Sequence, residues 1–220
     1  MGPGGELARA PHPPRHPVAP PRPRQHDRPV HPADVITLES AVLRRWRPDD
    51  AAELHRVVTD ALPHLRPWMP WAADDYPPAT AEHFLDLCQR NWRSGESYAY
   101  AITVDDAIVG CAALERRIGP GGLEIGYWLH PDHTGRGLAT TSAAALIGQA
   151  FTLPGIDRVE IWHDAANTAS QGVPQRLGFT CVERRTPPRD PTTPAEIGID
   201  VVWRLTRPGP PAPSAAAAGA

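Results

Sequence analysis

A chain of 220 residues with 22 basic residues against 25 acidic ones carries a formal net charge of −3 and no general attraction for nucleic acid. Three cysteines, Cys88, Cys111 and Cys181, without Cys-x-x-Cys spacing, argue against a disulfide framework or a zinc site and suit a reducing cytoplasm. No apolar run reaches the ~18 residues of a membrane span, and no apolar segment follows the basic N-terminus, so neither an anchor nor a secretory signal is expected.

Residues 1–33 hold ten of the 28 prolines, five arginines and four histidines, with no aromatic residue. Such a segment buries too little apolar surface to offset its ordering entropy, so it reads as a disordered tail. Residues 207–220, proline- and then alanine-rich, read the same way, leaving one folded domain over 34–206. Val35 to Trp46 alternates as a first strand. Pro48-Asp49-Asp50 then opens a helix whose buried face is Leu54, Val57, Val58 and Leu62. Prolines at 63, 67 and 70 interrupt the next stretch, and a second helix is predicted from Thr80 to about Arg93. Tyr98–Val104 and Ala107–Arg117 form a hairpin turning at Asp105-Asp106.

After the turn Ile118-Gly-Pro-Gly-Gly122, residues Leu123–Leu129 read as a strand, His130-Pro131-Asp132 ends it, and a helix begins at Gly137. Ala139, Ala143, Leu146 and Ala150 share one face of that helix. A strand at 159–164, a helix from Asn167 to Leu177 and two strands near 179–186 and 197–206 complete the order. Pro174 lies inside the last helix, so a kink or a late start is expected there. The alternation of elements gives a single α/β or α+β domain. The glycine-rich junction at 135–139 suits phosphate, because the first amides of a helix lack intrahelical partners and the helix dipole favours an anion there.

Three blocks in order, Glu-Ile-Gly-Tyr-Trp-Leu followed by Gly-Arg-Gly-Leu-Ala, then Asn167-x-x-Ser170, then Leu177-Gly-Phe179, make the chain similar to the GNAT superfamily of N-acetyltransferases. The likeness extends over about 34–206 and is nearest to the ribosomal-protein N-terminal acetyltransferase branch. It implies a mixed sheet splayed into a V, with acetyl-CoA as cosubstrate and no metal. In that resemblance Gly135, Arg136, Gly137, Leu138 and Ala139 bind the coenzyme A pyrophosphate, and a bulge at Trp128 and Leu129 offers backbone to the pantetheine arm. Asn167 caps its helix and contacts the same arm. Ser170 is the acid for the leaving thiolate, Glu124 and Glu196 are candidate bases with His163 and Asp164 a weaker pair, and Trp68 and Trp71 wall the acceptor site.

Thr134 stands where the family has Gln or Arg, which puts one side-chain contact in doubt. The expected reaction is direct attack by a primary amine on the thioester, most of all by a protein N-terminal α-amine, whose pKa of about 7.7–8.0 asks less of a base than a lysine near 10.4. The rivals are a small-molecule or antibiotic amine as acceptor, another acyl donor, a non-catalytic acyl-CoA binder, and a scaffold working through its proline-rich tail. The branch also suggests a homodimer.

Overall fold

The structure, a computed structural model, describes residues 30–209. Both sequence-predicted tails therefore lie mostly outside the described residues. Their inner ends pack on the domain: the Tyr100 hydroxyl donates to the Ala33 carbonyl, and Arg207 reaches the carbonyls of Leu153 and Ile156.

Eight strands form one sheet in the order β1-β2-β3-β4-β5-β6-β8-β7. The segment expected as one first strand is two, β1 (Val35–Thr37) and β2 (Val42–Arg45), paired antiparallel about a tight turn. A single turn of 3-10 helix at Pro48–Asp50 then leads into α1 (Ala51–Leu65). The helix runs through Pro63, which sequence reasoning had placed outside it. Pro63 falls in the last turn on the exposed side, where the orphaned Thr59 carbonyl meets water. Helix α2 (Pro78–Ser94) starts with proline in its first turn and ends at Gly95, whose φ of 80° is a glycine conformation. The hairpin β3 (Ser97–Val104) to β4 (Ala107–Glu115) turns on Asp105 and Asp106, both at positive φ as a type I′ turn requires.

Strand β5 (Gly122–Leu129) continues the meander, α3 (Leu138–Thr152) follows, and β6 (Arg158–Asp164) returns parallel to β5. Helix α4 (Thr168–Arg176) and the strands β7 (Thr180–Arg184) and β8 (Asp200–Thr206) complete the fold. Two apolar layers flank the sheet. On one face α1 and α2 bury Leu54, Val57, Ala61, Leu65, Ala81 and Leu85 against Ala101, Cys111 and Ala113. On the other, Ala143, Leu146 and Ala150 of α3 pack on Leu114, Leu123, Ile125 and Ile161, so the predicted helix face is the buried one.

The parallel pair β5–β6 is short. It joins Gly122 to Arg158, Leu123 to Val159 and Glu124 to Glu160, and beyond those three pairs the strands are unpaired with each other. This is the splayed V, between the fifth and sixth strands once β1 and β2 are counted separately. The sheet opens where two buried glutamates stand side by side. Like charges in such register repel, and each is held by arginine: Glu124 by Arg117, and Glu160 by Arg204 and Arg158.

Leu146 is fully buried at the centre of the α3 layer. Leu146→Ala is expected to cost about 2–5 kcal/mol of stability, read as a lower urea midpoint with the slope unchanged.

Candidate active site

The loop between β5 and α3 is built to leave its amides free. Pro131–His133 form a 3-10 turn whose first carbonyl is used internally: the Thr134 amide and hydroxyl both return to the Pro131 carbonyl, the hydroxyl at 2.8 Å. Thr134, the departure from the family pattern, is thus a stop for that turn. Gly135 and Gly137 then take φ of 72° and 80°, and an added Cβ at either would meet nothing within 4 Å. Their requirement is conformational, not one of space. The first helical bond of α3 is Thr141 N–H to the Gly137 carbonyl. The six amides from Gly135 to Thr140 therefore have no acceptor among the described residues, one more than the sequence assignment of 135–139. Six convergent donors at the start of a 15-residue helix suit a diphosphate.

A cleft of about 620 Å³ runs from this loop, lined by Thr134, Gly135, Gly137 to Thr141, Tyr127 to Leu129, Asn167, Ser170 and Arg176. Arg136, assigned to the pyrophosphate from sequence, is exposed and does not line it. The arginine on this wall is Arg176, whose guanidinium lies over Gly172, 3.0 Å from where a Cβ would sit, and 3.4 Å from the Thr140 hydroxyl. Gly172 makes room for that side chain. Sequence reasoning missed Arg176 although it directly precedes the Leu-Gly-Phe block.

The expected bulge in β5 is absent: Glu124–Leu129 pair with Gly110–Glu115 without a register shift. The irregularity lies instead between β3 and β4, where the register slips at Ile102/Thr103. Ladder alternation, fixed by the His130 amide bonding the Val109 carbonyl, turns the backbone of Trp128 toward Cys111. The backbone groups of Tyr127 and Leu129 face the opening instead, so of the two residues assigned to pantetheine only Leu129 presents its main chain there. The second main chain presented there is that of Tyr127, not that of Trp128.

A second cleft of about 600 Å³ lies across the sheet, and six residues are common to both: Trp68, Met69, Tyr127, Trp128, Asn167 and Ser170. Trp71 lines it with its ring about 6 Å from those of Tyr76 and Trp128, so both sequence-assigned tryptophans are on its wall. At the junction, the Asn167 side chain accepts the Ser170 amide at 3.0 Å, capping α4 as expected. The Ser170 hydroxyl lies 3.0 Å from that of Tyr127. Burial, partly offset by Ser170 and Arg176, pushes the Tyr127 phenol up to about 12, so it is protonated at neutral pH.

Both candidate bases line the second cleft, and both are tied. Glu124 is buried, and its two oxygens accept from Arg117 at 2.7 and 2.5 Å. Burial raises the Glu196 carboxyl, but Arg189 at 2.9 Å and the Thr192 amide and hydroxyl at 2.8 and 2.9 Å outweigh it and hold the group at about 2. Protonating such a carboxylate at pH 7 costs roughly 7 kcal/mol. His163 is neutral and fully used: burial lowers its pKa, Nε2 accepts from the Trp203 indole at 2.9 Å, and Nδ1–H therefore donates to the Asp164 carbonyl at 2.7 Å. Asp164 accepts the amides of Ala166, Ile197 and Gly198, latching the segment before β8 onto the end of β6. Among the described residues, no group of three or more His, Cys, Asp or Glu is placed to hold a metal ion.

Donors for a diphosphate at one end, unpaired strand backbone along the middle and a hydroxyl at the junction with a second cleft match the parts of a coenzyme A thioester in order. The sequence agrees, for residues 41–180 match the model of the acetyltransferase (GNAT) domain, and the chain belongs to that family of acetyl-CoA-dependent N-acetyltransferases. It is 27 % identical over 148 residues to the putative ribosomal N-acetyltransferase YdaF of Bacillus subtilis strain 168, covering 64 % of this chain and 78 % of that protein. Similar solved structures include RimL, a ribosomal L7/L12 α-N-protein acetyltransferase in complex with coenzyme A, at a TM-score of 0.71 and 19 % identity over 78 % of this chain and 97 % of that one. RimJ of Mycobacterium smegmatis, in complex with CoA-disulfide, has a TM-score of 0.71 and 24 % identity, covering 80 % and 90 %. At these identities the two structures establish the fold.

Two outcomes are expected. Because Gly137 is required for its φ alone, coenzyme A affinity measured by calorimetry should fall in the order Gly137→Asn, then Ala, then Val, with Val losing about tenfold or more. Glu196, lowered from 4.5 in a free carboxyl to about 2, contributes stability that is present above pH 4.5 and lost as pH falls toward 2. Denaturation across that window should show this loss in the native protein and a shallower one in Glu196→Gln.

Proposed function

We propose that the acceptor is a protein N-terminal α-amine, as the names of the ribosomal relatives suggest, and that this chain works on it in the cytoplasm. The observation that carries this reading is the state of the carboxylates. Glu124 and Glu196 line the acceptor cleft, yet each is engaged by an arginine, and Glu196 is held at about 2. A site without a free strong base suits an amine that is already partly neutral. At pH 7 an α-amine meets that demand at about 3 kcal/mol less than a lysine side chain.

Acetyl-CoA lies with its diphosphate on the amides of 135–140, its arm along Tyr127 and Leu129, and its thioester near Ser170. The acceptor enters from the side of Trp68 and Trp71. Its nitrogen forms the C–N bond, the C–S bond breaks, and sulfur leaves with the electron pair. Sulfur takes the Ser170 hydroxyl proton, and the proton shed by nitrogen returns to Ser170 through water. Glu124 and Glu196, with their arginines, act as fixed charges that receive the acceptor rather than as bases.

Purified protein should acetylate the α-amine of N-terminal peptides at least about 10²-fold faster than lysine side chains at pH 7. Its kcat/KM should climb with pH to a plateau near 8, following the acceptor. Ser170→Ala should lower kcat by about 10²-fold with little change in the KM for acetyl-CoA. Equal rates on lysine side chains, or activity on small-molecule amines with none on peptides, would overturn the assignment.

A further inference from the structure

Pro174 is the one internal proline of α4, and its consequence is visible one turn back. An ordinary residue at 174 would donate its amide to the Ser170 carbonyl. Proline has no N–H, and its ring pushes that carbonyl off the helix axis. The carbonyl is taken up from outside the helix. The Tyr127 hydroxyl, from β5, lies 3.2 Å from it and 3.0 Å from the hydroxyl of the same serine. Despite the proline, α4 is helical from Thr168 to Arg176, so it does not begin late.

A phenol has a single proton to give to these two oxygens. While Tyr127 donates to the Ser170 carbonyl, the Ser170 hydroxyl donates back to Tyr127 and its proton points away from any substrate. When Tyr127 donates to the Ser170 hydroxyl oxygen, the serine proton is released to point elsewhere. The two arrangements differ only by rotation of two O–H bonds, over nearly equal distances.

We propose that Pro174 is a positioning residue: by leaving the Ser170 carbonyl without a helical donor, it anchors the Tyr127 hydroxyl beside Ser170, and Tyr127 aims the serine proton at the leaving sulfur. This rests on the reading of Ser170 as the acid for the thiolate. No proton is lost from Tyr127 overall, since it exchanges one hydrogen-bond acceptor for another. A helix with an amide at 174 would satisfy the carbonyl internally and leave the tyrosine hydroxyl tethered to the serine hydroxyl alone.

A double-mutant cycle tests it. Tyr127→Phe is expected to lower kcat about tenfold, and Pro174→Ala about three- to tenfold, each with the KM for acetyl-CoA within about twofold of the native enzyme. Combined, they should be no slower than Tyr127→Phe alone, because Pro174 acts only through the tyrosine hydroxyl. A merely structural role for Pro174 predicts effects that multiply, and that result overturns the proposal, as does an unchanged kcat in either single variant. If Pro174→Ala does not fold, Tyr127→Phe still decides, since native turnover there removes the tyrosine from the mechanism. An unchanged kcat in Ser170→Ala would instead remove the underlying assignment of Ser170, a separate failure.

Discussion

β5 and β6 lie side by side for three residues each and then diverge, and both clefts exist because the strands beyond Glu124 and Glu160 do not satisfy each other. An unpaired strand edge inside a fold carries a cost in unmet backbone groups. Here the edge is kept open by its anchors. β4 holds β5 from Glu124 to Leu129 and β8 holds β6 along its whole length, so neither strand can drift toward the other without breaking a ladder. The backbone of Tyr127 and Leu129 is thereby kept available for a partner that is not protein.

The charges around the opening are arranged with the same economy. All 22 basic residues are arginine, and the two buried glutamates at the split, Glu124 and Glu160, are each gripped by one through two of its nitrogens. Paired in this way, the carboxylate oxygens are occupied by guanidinium donors. In the mechanism proposed above, catalysis rests on groups that stay neutral: the phenol of Tyr127, whose pKa burial raises, and the hydroxyl of Ser170. In that proposal the acceptor supplies its own neutral fraction, which connects the electrostatics of the site to the class of amine proposed for it.

Local signals in the sequence were strong where chemistry is local. The glycines at 135 and 137, the cap at Asn167, the Asp105-Asp106 turn and the apolar face of α3 follow from backbone preferences and periodicity, and they stand where those preferences put them. What the sequence could not show is which groups meet across the fold. Glu196 looks like any exposed glutamate until Arg189 and Thr192 close on it. His163 loses its availability to Trp203, forty residues away. The first strand misread as continuous lacks a glycine or proline at its turn, and the bulge assigned to Trp128 came from family resemblance while the register of β5 is unbroken. Pro174 was read as a fault in a helix, because the phenol that uses the freed carbonyl sits on a strand 43 residues earlier.

The described chain also begins and ends in one neighbourhood. Ala33 donates its amide to Gln149, and Arg207 lies over the Phe151 ring and bonds the Ile156 carbonyl, so both are moored to the last turns of α3 and the loop after it. A helix of 15 residues is about 22 Å long, which sets that mooring a full helix length from the six free amides at the other end. A short peptide joining 33 to 207, with new termini cut in an exposed turn at that same end such as Gly119-Pro120, would re-order the gene while leaving the end that carries the free amides untouched.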